Sequence, residues 1–234
     1  MQAVILAAGR GTRMGAAVDA TPKPLLEVAG KTLLEHKFDS LPPDIDEVIL
    51  IVGYLGGVIH DRFGGIYNDK HILYVEQEKL DGTAGALWRA KSILRDRFIV
   101  LYADDIYAAK DMKVAADAKE WTLFALEMEL GSAAKVVADK KGNIDAILER
   151  EEHDGGSGFV NTGLYSFDMR LFDFPLVQKS RDSDEFGLPQ TALAASKASA
   201  IPFKIESATL WLQITEPADI QKAEEILADR GKSA

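Results

Sequence analysis

The sequence predicts an α/β fold: a mixed, mostly parallel sheet with helices on both faces and antiparallel strands added in its second half. Two observations carry that expectation. In the first half, short continuous apolar runs alternate with segments whose apolar residues recur at helical spacing, the mark of β-α-β units whose strands are covered on both faces. In the second half, strand-like runs follow one another across glycine-containing turns, which reads as antiparallel pairing. The predicted parallel strands are Ala3–Ala7, Glu47–Gly53, Ile72–Glu76 and Phe98–Tyr102, with helices over Thr32–Leu41 and Thr83–Leu94. Strands over Trp121–Met128, Ala134–Ala138, Ile144–Glu149 and Val160–Phe167 follow, with Lys140-Lys141-Gly142-Asn143 as one of the turns. Two helices come next, Leu188–Lys197 and Pro217–Ala228. Proline suits the first turn of the second, because the N–H it lacks has no helical partner there. Gly231-Lys232-Ser233-Ala234 reads as a frayed tail.

A chain of 234 residues with 47% hydrophobic composition can bury its own core, and one domain over residues 1–234 is expected. The formal net charge of −10 argues against bulk attraction to nucleic acid, which needs a basic face. The absence of cysteine excludes disulfides, thiolate catalysis and cysteine-based zinc sites. The opening MQAVILAAGRG has no basic leader, and its apolar run is too short for a signal peptide or a membrane span, so a cytoplasmic protein without membrane partners is expected. The four histidines show no metal-ligand spacing.

The chemistry concentrates in LAAGRGTRMGAAVDATPKPLLE, where a glycine-rich turn leaves an apolar strand and leads through Thr21-Pro22-Lys23-Pro24 towards a helix. Gly9 and Gly11 lack a Cβ, so their backbone can approach an anion, and Arg13 and Lys23 can neutralise it. The implied ligand is a polyphosphate. Two better-known phosphate loops fail on spacing. A dinucleotide fingerprint needs glycine where Met14 stands, and a P-loop ending in Gly30-Lys31-Thr32 needs glycine where Leu25 stands. What remains is Gly9-x-Gly11-Thr12-Arg13 with Lys23 stiffened between two prolines.

Leu6-Ala7-Ala8-Gly9-x-Gly11-Thr12-Arg13-Met14 with Thr21-Pro22-Lys23-Pro24-Leu25 resembles the sugar-1-phosphate nucleotidyltransferases, also called NDP-sugar pyrophosphorylases. The resemblance implies a Rossmann-like fold related to the GT-A glycosyltransferases, and an enzyme that joins a nucleoside triphosphate to a sugar 1-phosphate and releases pyrophosphate. It implies a nucleotide part over about 1–110 and an acceptor part over about 111–234. Leu6, Ala7, Ala8, Gly9, Gly11 and Thr12 would wrap the nucleotide, with Arg13 and Lys23 as the catalytic cations on the triphosphate. Gln77, Gly82 and Thr83 resemble the segment that reads the base; Gly82-Thr83 also fits a helix cap. An amide donates and accepts at once, so Gln77 by itself suits any base edge.

Asp104, delivered by the apolar run Phe98–Tyr102, matches the family's Mg²⁺ ligand, with Ala103 in place of the usual glycine. The second metal carboxylate falls on Gln213, in Trp211-Leu212-Gln213-Ile214. Three outcomes follow: Gln213 binds through its carbonyl, Asp105 or Glu216 substitutes, or the metal is held weakly. On the acceptor side, Asn161-Thr162-Gly163 resembles the strand lining the sugar pocket. Glu149-Arg150 matches a Glu-Lys pair that binds sugar hydroxyls and the acceptor phosphate. Two alternatives stand beside this reading: a cytidylyltransferase for a non-sugar phosphate such as phosphocholine or an alditol phosphate, and a non-catalytic regulatory homologue.

Overall fold

The computed structural model describes residues 1–131 and 133–231. The strands of the first half are β1 (Gln2–Ala7), the short hairpin β2 (Glu27–Val28) and β3 (Lys31–Thr32), β4 (Glu47–Val52), β5 (Ile66–Tyr67), β6 (Lys70–Glu76) and β7 (Arg97–Tyr102). Of these, β1, β4 and β7 are continuous apolar runs because alternate residues feed two different cores. Ala3, Ile5, Val48, Leu50, Ile99 and Leu101 point to one face, and Val4, Ile49, Ile51, Phe98 and Val100 to the other. Helices α1 (Leu33–Ser40), α2 (Gly56–Phe63) and α4 (Ala109–Asp117) cover the first face through Leu34, Phe38, Ile59, Phe63, Met112 and Ala115. Helices α3 (Gly82–Arg89) and α5 (Leu188–Ser199) cover the second through Ala84, Leu87, Leu188, Ala192 and Ala195.

Helix α1 starts where its sequence says it should: the Thr32 hydroxyl accepts from Glu35 N, and the Glu35 carboxylate accepts from Thr32 N, a complete capping box. Strands β1, β4, β6 and β7 are parallel, in the spatial order β7-β1-β4-β6. The later strands are β8 (Asp105–Tyr107), β9 (Trp121–Glu129), β10 (Lys135–Ala138), β11 (Ile144–Leu148), β12 (Ser157–Asp168), β13 (Phe203–Ser207) and β14 (Trp211–Gln213). Long β12 runs antiparallel to β7, β9 and β10, so the second half extends the same sheet, as predicted; among the described residues this sheet has ten strands, and β2–β3 and β8–β14 form two separate pairs.

Helices α2 and α4, strand β13, the small pair β8–β14 and the short strands β2, β3 and β5 have no counterpart in the sequence reading. Strand β13 is parallel to β9, against the antiparallel expectation for this half, because α5 returns the chain alongside β9 in the same sense. Gly231 still belongs to the last helix, α6 (Pro217–Gly231), and the rest of the tail, 232–234, lies outside the described residues.

A third apolar cluster determines where the site lies. Met14 and Val18 from the turn after the glycine loop pack with Val28, Leu33, Ile106, Leu212, Ile214 and Ala223. It ties the loop to β14 and α6. Leu212 and Ile214 point into this cluster, so the period of two sends Gln213 to the opposite side.

Candidate active site

Strand β1 has β4 on one side and β7 on the other, so the chain reverses its direction of winding at β1. Open α/β sheets place ligands at the carboxyl ends of the strands beside such a point. A cavity of about 600 Å³ opens there. Leu6, Ala7, Ala8, Gly9, Gly11, Thr12 and Arg13 form one wall, with Arg10, which sequence reasoning passed over. The Arg10 guanidinium lies 5.8 Å from the centre of the Tyr54 ring. Gly11 is left-handed (φ 65°), and a Cβ on it would sit 3.0 Å from Lys23 Cβ. Glycine therefore turns the chain and leaves room for the lysine stem.

Lys23 begins a single tight turn, Lys23–Leu25, after Pro22. Its stem is buried, and its ammonium lies 2.7 Å from Asp104 Oδ2. The two predicted charges thus meet at the floor of the cavity, and Gln213 lies beside them because Ile214 N donates to the Asp104 carbonyl at 3.2 Å.

Asp105 is placed elsewhere. It begins β8, and the alternation of the strand turns it into the interior, where it is 1% exposed and off the cavity wall. The Tyr107 hydroxyl donates to its Oδ2 at 3.3 Å, and the buried Lys37 ammonium donates to its main-chain carbonyl. Burial first, then the neighbouring Asp104 charge, pushes the Asp105 carboxyl well above the usual carboxylate range. Burial likewise lowers the Lys37 ammonium to about 8, opposed by the two aspartates. Asp105 thus lies buried behind Asp104, away from the cavity lining.

The structure brings the three residues predicted to read the base to one cavity. Gln77, Gly82 and Thr83 line the far end of the cavity with Leu80 and Ala86. Thr83 does not cap α3: it lies inside the helix, and its hydroxyl accepts from Leu188 N at 2.9 Å. Phe186 N donates to the Asp81 carbonyl at 2.7 Å, and Ala84 N donates to the Phe186 carbonyl at 3.0 Å. The segment Glu185–Gln190 therefore closes one side of the cavity and also begins α5.

On the acceptor side the structure divides the predicted set. Glu149 and Asn161 line the cavity; Arg150, Thr162 and Gly163 do not. Arg150 sits in a single turn after β11 and reaches out to the His153 carbonyl at 3.2 Å. The cation that lines the cavity instead is Lys179, whose charge acts on Glu149. Gln190 Nε2 holds Glu149 Oε1 at 2.7 Å. Burial raises the Glu149 carboxyl, while Lys179 and Gln190 pull the other way.

Thr162 and Gly163 have other tasks. A bulge between Asn161 and Tyr165 in β12 turns Thr162 inwards, where it is fully buried and its hydroxyl donates to the Phe124 carbonyl at 2.7 Å. Gly163 has φ 78°, and a Cβ there would lie 2.3 Å from Tyr102 Cδ2, so the glycine makes room for the Tyr102 ring in the cavity wall. The Tyr102 hydroxyl meets Tyr165 at 3.2 Å, and Asn161 Nδ2 donates to the same Tyr165 hydroxyl at 2.6 Å. Gly163→Ala combines positive φ with a ring collision and is expected to cost about 2–4 kcal/mol in denaturant unfolding, with Asn161 displaced.

The family model described as Nucleotidyl transferase matches residues 2–230. The chain is 30% identical to the bifunctional protein GlmU of Methanocaldococcus jannaschii, covering 98% of this chain and 55% of that one. It thus spans about half the length of that relative. It is 29% identical to the UTP–glucose-1-phosphate uridylyltransferase AglF of Haloferax volcanii, over 100% of this chain and 99% of that protein. A crystal structure of a putative glucose-1-phosphate thymidylyltransferase from Bacillus anthracis, in complex with a sucrose, superposes with a TM-score of 0.80 at 22% identity, covering 97% and 94% of the two chains, which is a likeness of fold. The glycine-rich loop, the lysine between prolines and the match over nearly its whole length make the chain a member of the nucleotidyl transferase family.

Proposed function

We propose that this chain joins a nucleoside triphosphate to a sugar 1-phosphate, giving an NDP-sugar and pyrophosphate. The observation that carries the reading is the meeting of two different walls in one cavity: a glycine loop with Arg13 and Lys23 at one end, and Glu149, Asn161, Gln190 and Lys179 at the other. The first suits a triphosphate, and the second suits a polyhydroxylated phosphate ester.

In that reaction an acceptor phosphate oxygen attacks the α-phosphorus, and the bond from the α-phosphorus to the bridging β oxygen breaks. The nucleophile is already anionic at neutral pH, so no general base is required and the residues need only align and neutralise. The backbone of Ala8–Thr12 cradles the phosphates, and Arg13 gathers charge on the leaving pyrophosphate. Lys23, anchored on Asp104, stands where the two substrates join. Glu149, steadied by Gln190, and Asn161, steadied by Tyr165, take sugar hydroxyls.

A divalent cation fits this donor set as a one-carboxylate site. Among the described residues no group of three or more His, Asp or Glu is placed to hold a metal. Mg²⁺ is commonly held by one or two carboxylates, with phosphate oxygens and water completing its shell. Asp104 would hold it, with the Gln213 carbonyl as a neutral neighbour; when bound it would withdraw charge from the α- and β-phosphates.

Lys179 takes the place proposed for Arg150. Lys179→Ala is expected to raise the KM for the acceptor by about 10–100-fold, the value of one charge-assisted hydrogen bond. Arg150→Ala is expected to leave it unchanged. Steady-state kinetics with glucose 1-phosphate and the preferred triphosphate checks both, and the reverse ranking of the two variants sinks this placement.

A further inference from the structure

The bulge in β12 that carries Asn161 is pinned from both halves of the chain. Among the described residues the registers of β12 with β7, β9 and β10 skip 162–164, so the main-chain groups there need partners outside the ladder. Gly163 N donates to Asn161 Oδ1 at 2.9 Å. The Thr162 carbonyl accepts from the Tyr107 hydroxyl at 2.9 Å, while the Thr162 hydroxyl donates to the Phe124 carbonyl of β9. Thr162 is thus tied on one side to β9 and on the other to β8.

Strand β8 belongs to the other half of the cavity. It follows Asp104 directly, and its alternation sends Asp105 and Tyr107 to one side and Ile106 into the third apolar cluster. The strand has little freedom of its own: it pairs with β14 through Tyr107–Trp211 and Asp105–Gln213, and the Lys37 ammonium donates to the Asp105 carbonyl. The same ammonium lies 5.7 Å from the centre of the Tyr107 ring. The Tyr107 hydroxyl carries one hydrogen and faces two oxygens, Asp105 Oδ2 at 3.3 Å and, closer, the Thr162 carbonyl. Phenylalanine would fill the same buried slot, so what the hydroxyl adds is this joint between the strand that follows Asp104 and the residue that follows Asn161.

We infer that Tyr107 is a positioning residue for the transfer, which rests on the nucleotidyl transfer reading: its hydroxyl fixes the bulge of β12 against β8 and so sets where Asn161 stands relative to Asp104. Asp104 and Asn161 both line the cavity, and Tyr107 does not. In-line attack tolerates little error, since a misplacement of about 1 Å can cost about 10²-fold in rate. Loss of the hydroxyl leaves a buried carbonyl unpaired. The stretch free to move in response is the one outside the ladder, where the neighbours of Thr162 are Asn161 and Gly163, the latter with φ 78°.

The test is a double-mutant cycle on the whole chain with Tyr107→Phe and Asn161→Ala. UTP, dTTP, GTP, CTP and ATP are each paired with the 1-phosphates of glucose, galactose, mannose and N-acetylglucosamine, and the pair turned over fastest is carried forward. Tyr107→Phe is expected to lower kcat/KM for the sugar 1-phosphate by about 10–100-fold. The Kd for the triphosphate, by titration calorimetry without acceptor, should stay within about twofold, because the nucleotide wall is untouched. In the Asn161→Ala background the same substitution should cost less than about threefold, since the side chain it positions is gone. A tyrosine that only supports the core would lower Tm and act equally in both backgrounds. Equal factors in the two backgrounds, a triphosphate Kd weakened as much as kcat/KM, or unaltered acceptor kinetics in Tyr107→Phe overturns the inference and leaves nucleotidyl transfer standing. No turnover of any pair by the unaltered chain would overturn the transfer reading itself, and the role of Tyr107 with it.

Discussion

Replacing Arg13 by alanine is expected to lower turnover by about 10²–10³-fold at saturating nucleotide, the usual cost of removing one preorganised charge from a developing anion. The physical reason lies in the path of the chain. Gly11 turns in the left-handed region, and the short helix from Thr12 to Val18 begins at once, so Arg13 is carried on a tight turn at the cavity wall. Met14 and Val18 of the same turn are buried in the third apolar cluster, which fixes that turn against α6. The loss should appear in kcat more than in nucleotide affinity, because charge on the pyrophosphate grows as the bond to the α-phosphorus breaks. Near-normal turnover in Arg13→Ala would show that the loop has been given the wrong task.

Asp104→Asn is expected to be at least as damaging, on the order of 10²–10⁴-fold in turnover, since it removes a proposed cation ligand and the partner of Lys23 together. Lys23 is buried against Gly11 and would lose the carboxylate it pairs with, so the variant should also lose some stability. Asp105→Asn is the contrasting case. Burial holds the Asp105 carboxyl towards its neutral form, and a neutral amide of the same shape can take its place. Turnover close to that of the unaltered chain is expected. Steady-state rates for the two variants over a range of Mg²⁺ concentrations check this, and a larger loss at Asp105 than at Asp104 would contradict the division of roles.

The sequence made the scaffold legible wherever one residue's environment is set by its neighbours in the chain. Apolar runs such as Phe98–Tyr102 read as doubly covered strands because both faces are indeed covered, and the apolar spacing over Thr32–Leu41 matches α1. The half of the cavity proposed for the triphosphate was legible for the same reason: Gly9 to Lys23 is one continuous stretch that folds on itself. The acceptor half was not. Lys179 comes from a segment whose place depends on a bridge between Gln178 and Phe186 and on bonds from Phe186 to Asp81 and Ala84, and no local pattern encodes those. Thr162 and Arg150, placed by resemblance, lie off the cavity because Thr162 turns inwards to the Phe124 carbonyl and the turn after β11 carries Arg150 out to the His153 carbonyl.

The central claim is which bond of the triphosphate breaks and where its pieces go. UTP, dTTP, GTP, CTP and ATP labelled with ³²P at either the α or the γ phosphorus, incubated with Mg²⁺ and a panel of sugar 1-phosphates, test it directly. The expected result is α label in an NDP-sugar and γ label in pyrophosphate with at least one acceptor. Label from the γ position on the acceptor or in free phosphate, or triphosphate that binds and transfers nothing to any acceptor, would contradict nucleotidyl transfer by this chain.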